Sequence, residues 1–276
     1  GLKRYDDKGN EIEYQVKETF TSEFYQQKND AILNKDENGN IKIEFTNEFK
    51  LPENNTRKIT IKKIWQDTEE QMSKRPIDIT ATITGGEYAN KDIKINGEID
   101  KWQKEIELRN YDDNGNKIEY IIGEKELNKY YKLSKIEQPT AQNDYIATIT
   151  NKFEVPADKK EIEISKTWKD NKKEHGNVEA QIVGKVKNID VNTRIENQIL
   201  NEENEWHRKI EVPVYDKNAD LITYQVREVN IPDGYVTTYN QDKLEIINTL
   251  PSIKVTKTVE SVNGEEIDEG TIPEVK

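Results

Sequence analysis

Three segments of this chain are near copies of one another: YDDKGNEIEYQVKE (Tyr5 to Glu18), YDDNGNKIEYIIGE (Tyr111 to Glu124) and YDKNADLITYQVRE (Tyr215 to Glu228). They begin 106 and 104 residues apart. That period is too long for a solenoid turn and fits whole domains, so the chain must fold as a string of similar units. Two further sets recur in step with the first. TIKKIWQD, ISKTWKD and VTKTVES carry Lys63, Lys166 and Lys257, and FTNEFKLP, ITNKFEVP and IINTLP carry Asn47, Asn151 and Asn248. One unit therefore reads as a lysine strand, a Trp-containing middle, a Tyr-Asp turn, a glutamate strand and an asparagine strand. This order places the back part of a unit at 1–52, complete units at 57–155 and 159–251, and the first strand region of another at 252–276. The short joints LPENN, VPADKK and LPS predict a semi-rigid string rather than freely tethered beads.

Runs with period two, such as KITIKKIW, DITATIT, KIEYIIGE and YIATITNKF, lie between Gly, Asn and Asp turns and predict an all-β fold. Several short strands in about 95 residues predict a sandwich or a partial barrel. Only 33% of residues are hydrophobic against 35% charged, so each core is thin. Alternating strands suit such a core better than the continuously apolar strands of a parallel α/β enzyme. Trp102 and Trp206, in KWQKEIEL and EWHRKIEV, are expected as core aromatics on a central strand. A net charge of -12 argues against nucleic acid or an anionic membrane surface as partner. The absence of cysteine excludes disulfides, thiolate metal sites and cysteine nucleophiles. No apolar run of about 18 residues exists, which predicts no membrane insertion in this segment. GLKRYDDKGN resembles neither a signal peptide nor a transit peptide.

Side chains two residues apart on a strand share a face. On that basis the lysine strands group Ile59, Ile61, Lys63 and Trp65; Ile162, Ile164, Lys166 and Trp168; and Ile253, Val255, Lys257 and Val259. The glutamate strands group Ile12, Tyr14, Val16 and Glu18; Ile118, Tyr120, Ile122 and Glu124; and Ile222, Tyr224, Val226 and Glu228. The asparagine strands group Ile43, Phe45, Asn47 and Phe49; Ala147, Ile149, Asn151 and Phe153; and Ile246, Asn248 and Leu250. Each unit thus turns a lysine, a glutamate and an asparagine toward its core. An unpaired buried charge costs several kcal/mol against a domain stability of about 5–15 kcal/mol, so the three are expected to meet. Burial disfavours both charged forms and favours a neutral amine beside a protonated acid. A neutral amine is a nucleophile, and a protonated carboxyl can hydrogen-bond the asparagine carbonyl oxygen and shuttle protons. The chemistry implied is attack of the lysine Nζ on the asparagine amide with loss of ammonia, made fast by fixed geometry. The competing reading is a buried Lys-Glu ion pair with an asparagine hydrogen-bonded beside it.

The motifs KIW at Lys63 to Trp65 and KTW at Lys166 to Trp168, together with YDDNGNKIEY, YQVREVNIPDGY and the closing TNKF and INT, resemble the B-type repeats of Gram-positive collagen adhesins and pilins (CnaB). The resemblance covers essentially the whole chain. It implies tandem immunoglobulin-like β-sandwiches of reverse topology, each with an intramolecular Lys-Asn isopeptide bond assisted by an acid. Carried over, Lys63 would join Asn151 with Glu124, and Lys166 would join Asn248 with Glu228. Glu18 and Asn47 would lack their lysine, and Lys257 would lack its partners. Gly123, which stands where the other repeats have Lys17 and Arg227, is expected to alter its strand locally, and Val259 replaces a Trp. The function implied is a non-enzymatic stalk segment of an extracellular, cell-wall-anchored protein, needing no cofactor. Its partners would be flanking repeats, with a host matrix protein engaged through other domains. The alternative is a ligand-binding adhesin domain, for which Gly184 to Gln198 is the candidate surface.

Asn34 to Phe45 resembles a calcium loop, with Asn34, Asp36, Asn38 and Gly39 at suitable offsets. Its twelfth position is Phe45 rather than Glu, so a hairpin turn is expected instead. His175 and His207 lack metal-ligand spacing and are expected at the surface, so no metal is predicted. No phosphate loop, nucleophile elbow or LPxTG-like sorting signal occurs.

Overall fold

The period-two pattern of the lysine strands around Lys63 and Lys166 is reproduced in space. The computed structural model describes residues 1–19, 21–172 and 174–252. The chain divides into two units, Gly1–Glu154 and Val155–Lys276. In the N-terminal segment, β1 (Tyr25–Gln27) pairs antiparallel with β4 (Asn47–Phe49), and β2 (Ile32–Lys35) with β3 (Ile41–Glu44). The β2–β3 turn is held by Asp36, whose Oδ1 accepts from the backbone N–H groups of Asn38 and Asn40 at 2.9 and 2.7 Å. Asn34 to Phe45 is therefore the hairpin that its turn residues indicated.

The rest of the first unit is a two-layer sandwich of β5 (Thr56–Gln66), β6 (Asp78–Gly85), β7 (Tyr88–Asn96), β8 (Gln103–Arg109), β9 (Ile121–Glu124), β10 (Tyr131–Glu137) and β11 (Ile146–Phe153). One sheet has the order β10-β11-β5-β8 and the other β7-β6-β9. Ile59, Ile61, Ala147 and Ile149 of the first sheet meet Ile79, Ala81, Ile83 and Ile122 of the second in one core. The second unit repeats the plan with β12 (Lys159–Lys169), β13 (Val178–Val186), β14 (Ile189–Val191), β15 (Gln198–Leu200), β16 (His207–Pro213), β17 (Thr223–Glu228), β18 (Val236–Asn240) and β19 (Glu245–Thr249). Its sheets are β16-β12-β19-β18 and a layer in which β13 pairs with β14, β15 and β17. Gly184 to Gln198 is thus mostly the β13–β14 hairpin and its link to β15. The fold is the all-β, tandem immunoglobulin-like sandwich expected.

In both sandwiches the first strand runs parallel to the last, and every other pairing is antiparallel. This parallel pair needs nearly the whole unit as its crossover, so it can be made only between the first and last strands.

The Tyr-Asp turns share one construction. Oδ1 of Asp112 accepts from the N–H groups of Asn114 and Asn116 at 2.9 and 2.8 Å, and Oδ1 of Asp216 from those of Asn218 and Asp220 at 2.9 and 2.8 Å. The tyrosine that follows each turn donates back to the carbonyl eleven residues earlier: Tyr14 to Lys3, Tyr120 to Arg109 and Tyr224 to Pro213. These bonds anchor the segment that ends in the glutamate. In the first unit the N-terminal segment packs on this turn, with Phe24 edge-on to Tyr111 at 4.9 Å and the Tyr111 hydroxyl donating to Glu23.

Trp102 and Trp206 are not on a central strand. Each precedes the edge strand of its sheet, with φ of 60° and 58°, in a left-handed turn with Lys101 or Glu205. Alternation in KWQKEIEL and EWHRKIEV extends the strand pattern through the tryptophan, but the tight turn takes the backbone out of the ladder there. The indoles still pack against the cores, as expected of core aromatics. Among the described residues no helix is long and apolar enough to cross a membrane.

Candidate functional site

Strand register brings the three misfit residues together. In the parallel pair β5 and β11, Lys63 lies opposite Ile149 and Asn151 opposite Trp65. In β12 and β19, Lys166 lies opposite Ile246 and Asn248 opposite Trp168. Both units therefore set the asparagine two residues past the position facing the lysine, on the same face of adjacent strands. The glutamate comes from the other sheet, where Glu124 faces Ala81 and Glu228 faces Ala180. Alanine opposite each glutamate leaves room for its side chain between the layers. Gly123 does not disturb this register; a Cβ there would lie 2.6 Å from the Thr82 hydroxyl on the neighbouring strand, which accounts for glycine.

All three groups are buried. Asn151 and Asn248 have no exposed surface, and the side chains of Lys63 and Lys166 have none either. In the second unit Glu228 uses both oxygens. Oε2 accepts from Lys166 Nζ at 3.3 Å, and Oε1 accepts from Asn248 Nδ2 at 3.1 Å. The Asn248 carbonyl oxygen accepts from Thr237 Oγ1 at 2.7 Å. Sequence reasoning placed the carboxyl on that oxygen. Instead the carboxyl faces the amide nitrogen and a hydroxyl takes the oxygen, a role for Thr237 that strand parity gave no reason to suspect.

In the first unit Lys63 Nζ lies 3.3 Å from Glu124 Oε1, off the direction of a hydrogen bond, and neither amide atom of Asn151 has a hydrogen-bond partner. A cavity of about 460 Å³ lined by Glu124, Tyr131, Leu133 and Asn151 adjoins the site.

Each lysine is roofed by the tryptophan two residues on, with Nζ 4.4 Å from the Trp65 ring and 4.5 Å from the Trp168 ring. The backbone N–H of each is tied to the displaced tryptophan, Lys63 to Trp102 O at 2.8 Å and Lys166 to Trp206 O at 2.9 Å. Beyond the roof lies a matching polar cluster. In the first unit Asp67 accepts from Arg75 and from Tyr131; in the second Asp170 binds His175 and accepts from Tyr235. His175 stacks on Trp168 at 4.2 Å and its side chain is only 11% exposed, so it is not the surface residue its context implied. His207 is exposed.

In the N-terminal segment the asparagine and glutamate pair directly. Asn47 Nδ2 donates to Glu18 Oε1 at 2.9 Å. Both residues are only partly buried, and Tyr14, Val16 and Phe49 are exposed, so the burial expected of this group is not reached there. Lys257 lies outside the described residues.

The family model described as "Cna protein B-type domain" matches residues 59–152 and 162–249, two thirds of the chain. The chain belongs to this family. A curated relative, "Collagen adhesin" of Staphylococcus aureus, is 27% identical over 261 residues, which are 94% of this chain and 20% of that protein. The chain thus spans about a fifth of that relative's length. Two solved structures from the collagen-binding surface protein of the same organism are also similar. A single B repeat unit is 24% identical, covering 71% of this chain and all of the other, with a TM-score of 0.30. A pair of B repeat units is 25% identical, covering 90% of this chain and 61% of the other, with a TM-score of 0.31. The two matched segments of this Cna B-type chain each begin four residues before the buried lysine, Lys63 or Lys166, and end one residue after the asparagine, so both complete trios fall inside the family's boundaries.

Electrostatics favour a nucleophilic amine in both B-type repeats. Burial, opposed by the neighbouring carboxylate, lowers the Lys63 and Lys166 amines from 10.5 to about 8. Between those values the unfolded chain holds a proton on each lysine that the folded chain has released, so stability rises with pH across that window and is flat with respect to these groups below it. The variant Asn151→Ala/Asn248→Ala, which keeps both amines and removes both asparagine amides, should therefore gain urea resistance from pH 8 to 10.5. The gain is read relative to the same variant carrying Lys63→Met and Lys166→Met. Equal slopes for the two proteins would show that the amines are not perturbed.

Proposed function

We propose that the repeats at 57–155 and 159–251 each close an isopeptide bond, Lys63 to Asn151 and Lys166 to Asn248, with Glu124 and Glu228 as proton carriers. The observation that carries this reading is the Lys166, Glu228, Asn248 arrangement, in which one buried carboxyl contacts both the attacking nitrogen and the nitrogen that must leave. Lysine Nζ attacks the asparagine Cγ, and the new C–N bond forms as the Cγ–Nδ2 bond breaks. The carboxyl group gives its proton to Nδ2, which departs as ammonia, and takes one back from Nζ. Atoms balance without any oxidant or cofactor, and the reaction runs once, within the domain. In the same reading Asn47 and Glu18 belong to a third site, in which no lysine pairs with Glu18 among the described residues.

The bonded repeats form a non-enzymatic stalk segment of a surface adhesin or pilin, outside the cell and held to the wall by its parent protein. Membership of the B-type family and similarity to a staphylococcal collagen adhesin support that setting. By the loop-closure relation used for disulfides, a link across the 82 positions from Lys166 to Asn248 stabilises the repeat by about 4–5 kcal/mol. Intact mass under denaturing conditions tests the chemistry: the protein should weigh two ammonia equivalents less than its sequence. A full sequence mass would overturn it.

A further inference from the structure

The asparagine of each site faces a different residue across the antiparallel pair that closes the sheet. Asn47 faces Gln27, Asn151 faces Leu133 and Asn248 faces Thr237. These three positions are equivalent in register, and only one serves the amide. Gln27 Nε2 donates instead to the Asn29 carbonyl at 2.7 Å, and Leu133 has nothing to donate. Thr237 Oγ1 lies 2.7 Å from Asn248 Oδ1 and 3.3 Å from Glu228 Oε2.

We propose that Thr237 is a further catalytic residue of the second repeat, and that its absence from the first makes the two bonds form at different rates. The proposal rests on the isopeptide reading above. When Nζ adds to Cγ, the carbon becomes tetrahedral and negative charge collects on Oδ1. A hydroxyl already aimed at that oxygen binds it more tightly then than in the ground state, and costs no reorganisation. The same bond fixes the amide's orientation. With Oδ1 held on Thr237, Nδ2 must face Glu228, which puts the leaving group against the carboxyl that protonates it. In the first repeat both amide atoms of Asn151 lack partners, so neither the developing charge nor the orientation is provided for. Leu133 borders the cavity beside Asn151, so a smaller hydroxyl side chain fits there.

The test is a time course after cell-free synthesis of the full chain, with proteolysis and mass spectrometry counting the peptides joined through Lys63–Asn151 and Lys166–Asn248 separately. In the wild type the second bond should appear first. Thr237→Val, which keeps the shape, should slow the second bond by about a hundredfold and leave the first unchanged. Thr237→Ser should restore most of the rate, which packing alone would not do, and Leu133→Thr should accelerate the first bond. A second bond that forms at wild-type rate in Thr237→Val, or a serine variant no faster than valine, would overturn the role of Thr237. If the wild type forms neither bond, the isopeptide reading itself fails, a result distinct from normal bonding in the valine variant. The recovered rate in Thr237→Ser, together with the gain expected of Leu133→Thr, separates slow chemistry from failed folding.

Discussion

Glu228→Gln should leave the protein short by one ammonia equivalent instead of two, with the Lys166–Asn248 bond missing and the Lys63–Asn151 bond intact. Glutamine keeps the volume of Glu228 and can accept from Asn248 Nδ2 through its Oε1 while presenting its Nε2 to Lys166. It cannot accept a proton from Lys166 or deliver one to Asn248 Nδ2, the two atoms that Glu228 touches at 3.3 and 3.1 Å. Loss of a positioned proton carrier slows a reaction by about 10²–10⁴-fold, and an amide has no faster route open to it. Glu124→Gln should give the complementary result, since the two trios have separate cores. A Glu228→Gln protein still lacking two ammonia equivalents would remove Glu228 from the chemistry. The glutamine substitution is preferable to Glu228→Ala, which would strand a buried lysine without a partner and confuse lost chemistry with lost folding.

Pulled from its two ends, the wild-type chain should yield neither complete repeat, whereas Asn151→Ala should release one additional step of about 300 Å, the extended length of the 88 residues from Lys63 to Asn151. With the proposed bond in place, load entering the first repeat at Thr56 runs along β5 as far as Lys63, crosses to Asn151, and leaves through the last residues of β11. The remaining strands are bypassed. Asn151→Ala keeps the Lys63–Glu124 pair, so the new step reports the missing bond rather than an unpaired charge. Single-molecule force spectroscopy reads the step directly, and a wild-type trace containing that same step would exclude a load-bearing bond.

Much of this architecture was legible because it is written in parity. Two-residue alternation identified the inward lysine, glutamate and asparagine of each complete repeat; the structure buries all six side chains and joins the trio by hydrogen bonds in the second repeat. Parity fails where the backbone stops being a strand. Trp102 and Trp206 continue the alternation on paper, but left-handed turns remove them from the sheet and set their carbonyl oxygens against the lysine N–H groups. It also says nothing about what lies across a sheet. Thr237 and His175 reach their positions through strand register and a loop, and neither has a partner at a telling sequence distance. In the N-terminal segment the pattern is present but the burial is not, because alternation states which face a residue shares and not whether another layer covers that face.

The parallel pairing of first and last strands sets where each repeat admits and releases the chain. Gln66 lies opposite Lys152, so the chain enters the first repeat at the start of β5 and departs level with that strand's far end. Lys169 opposite Thr249 gives the second repeat the same geometry. Antiparallel terminal strands would return the chain to the end where it came in. Here each repeat instead advances the chain by about one eleven-residue strand, roughly 35 Å, between its own entry and its own exit.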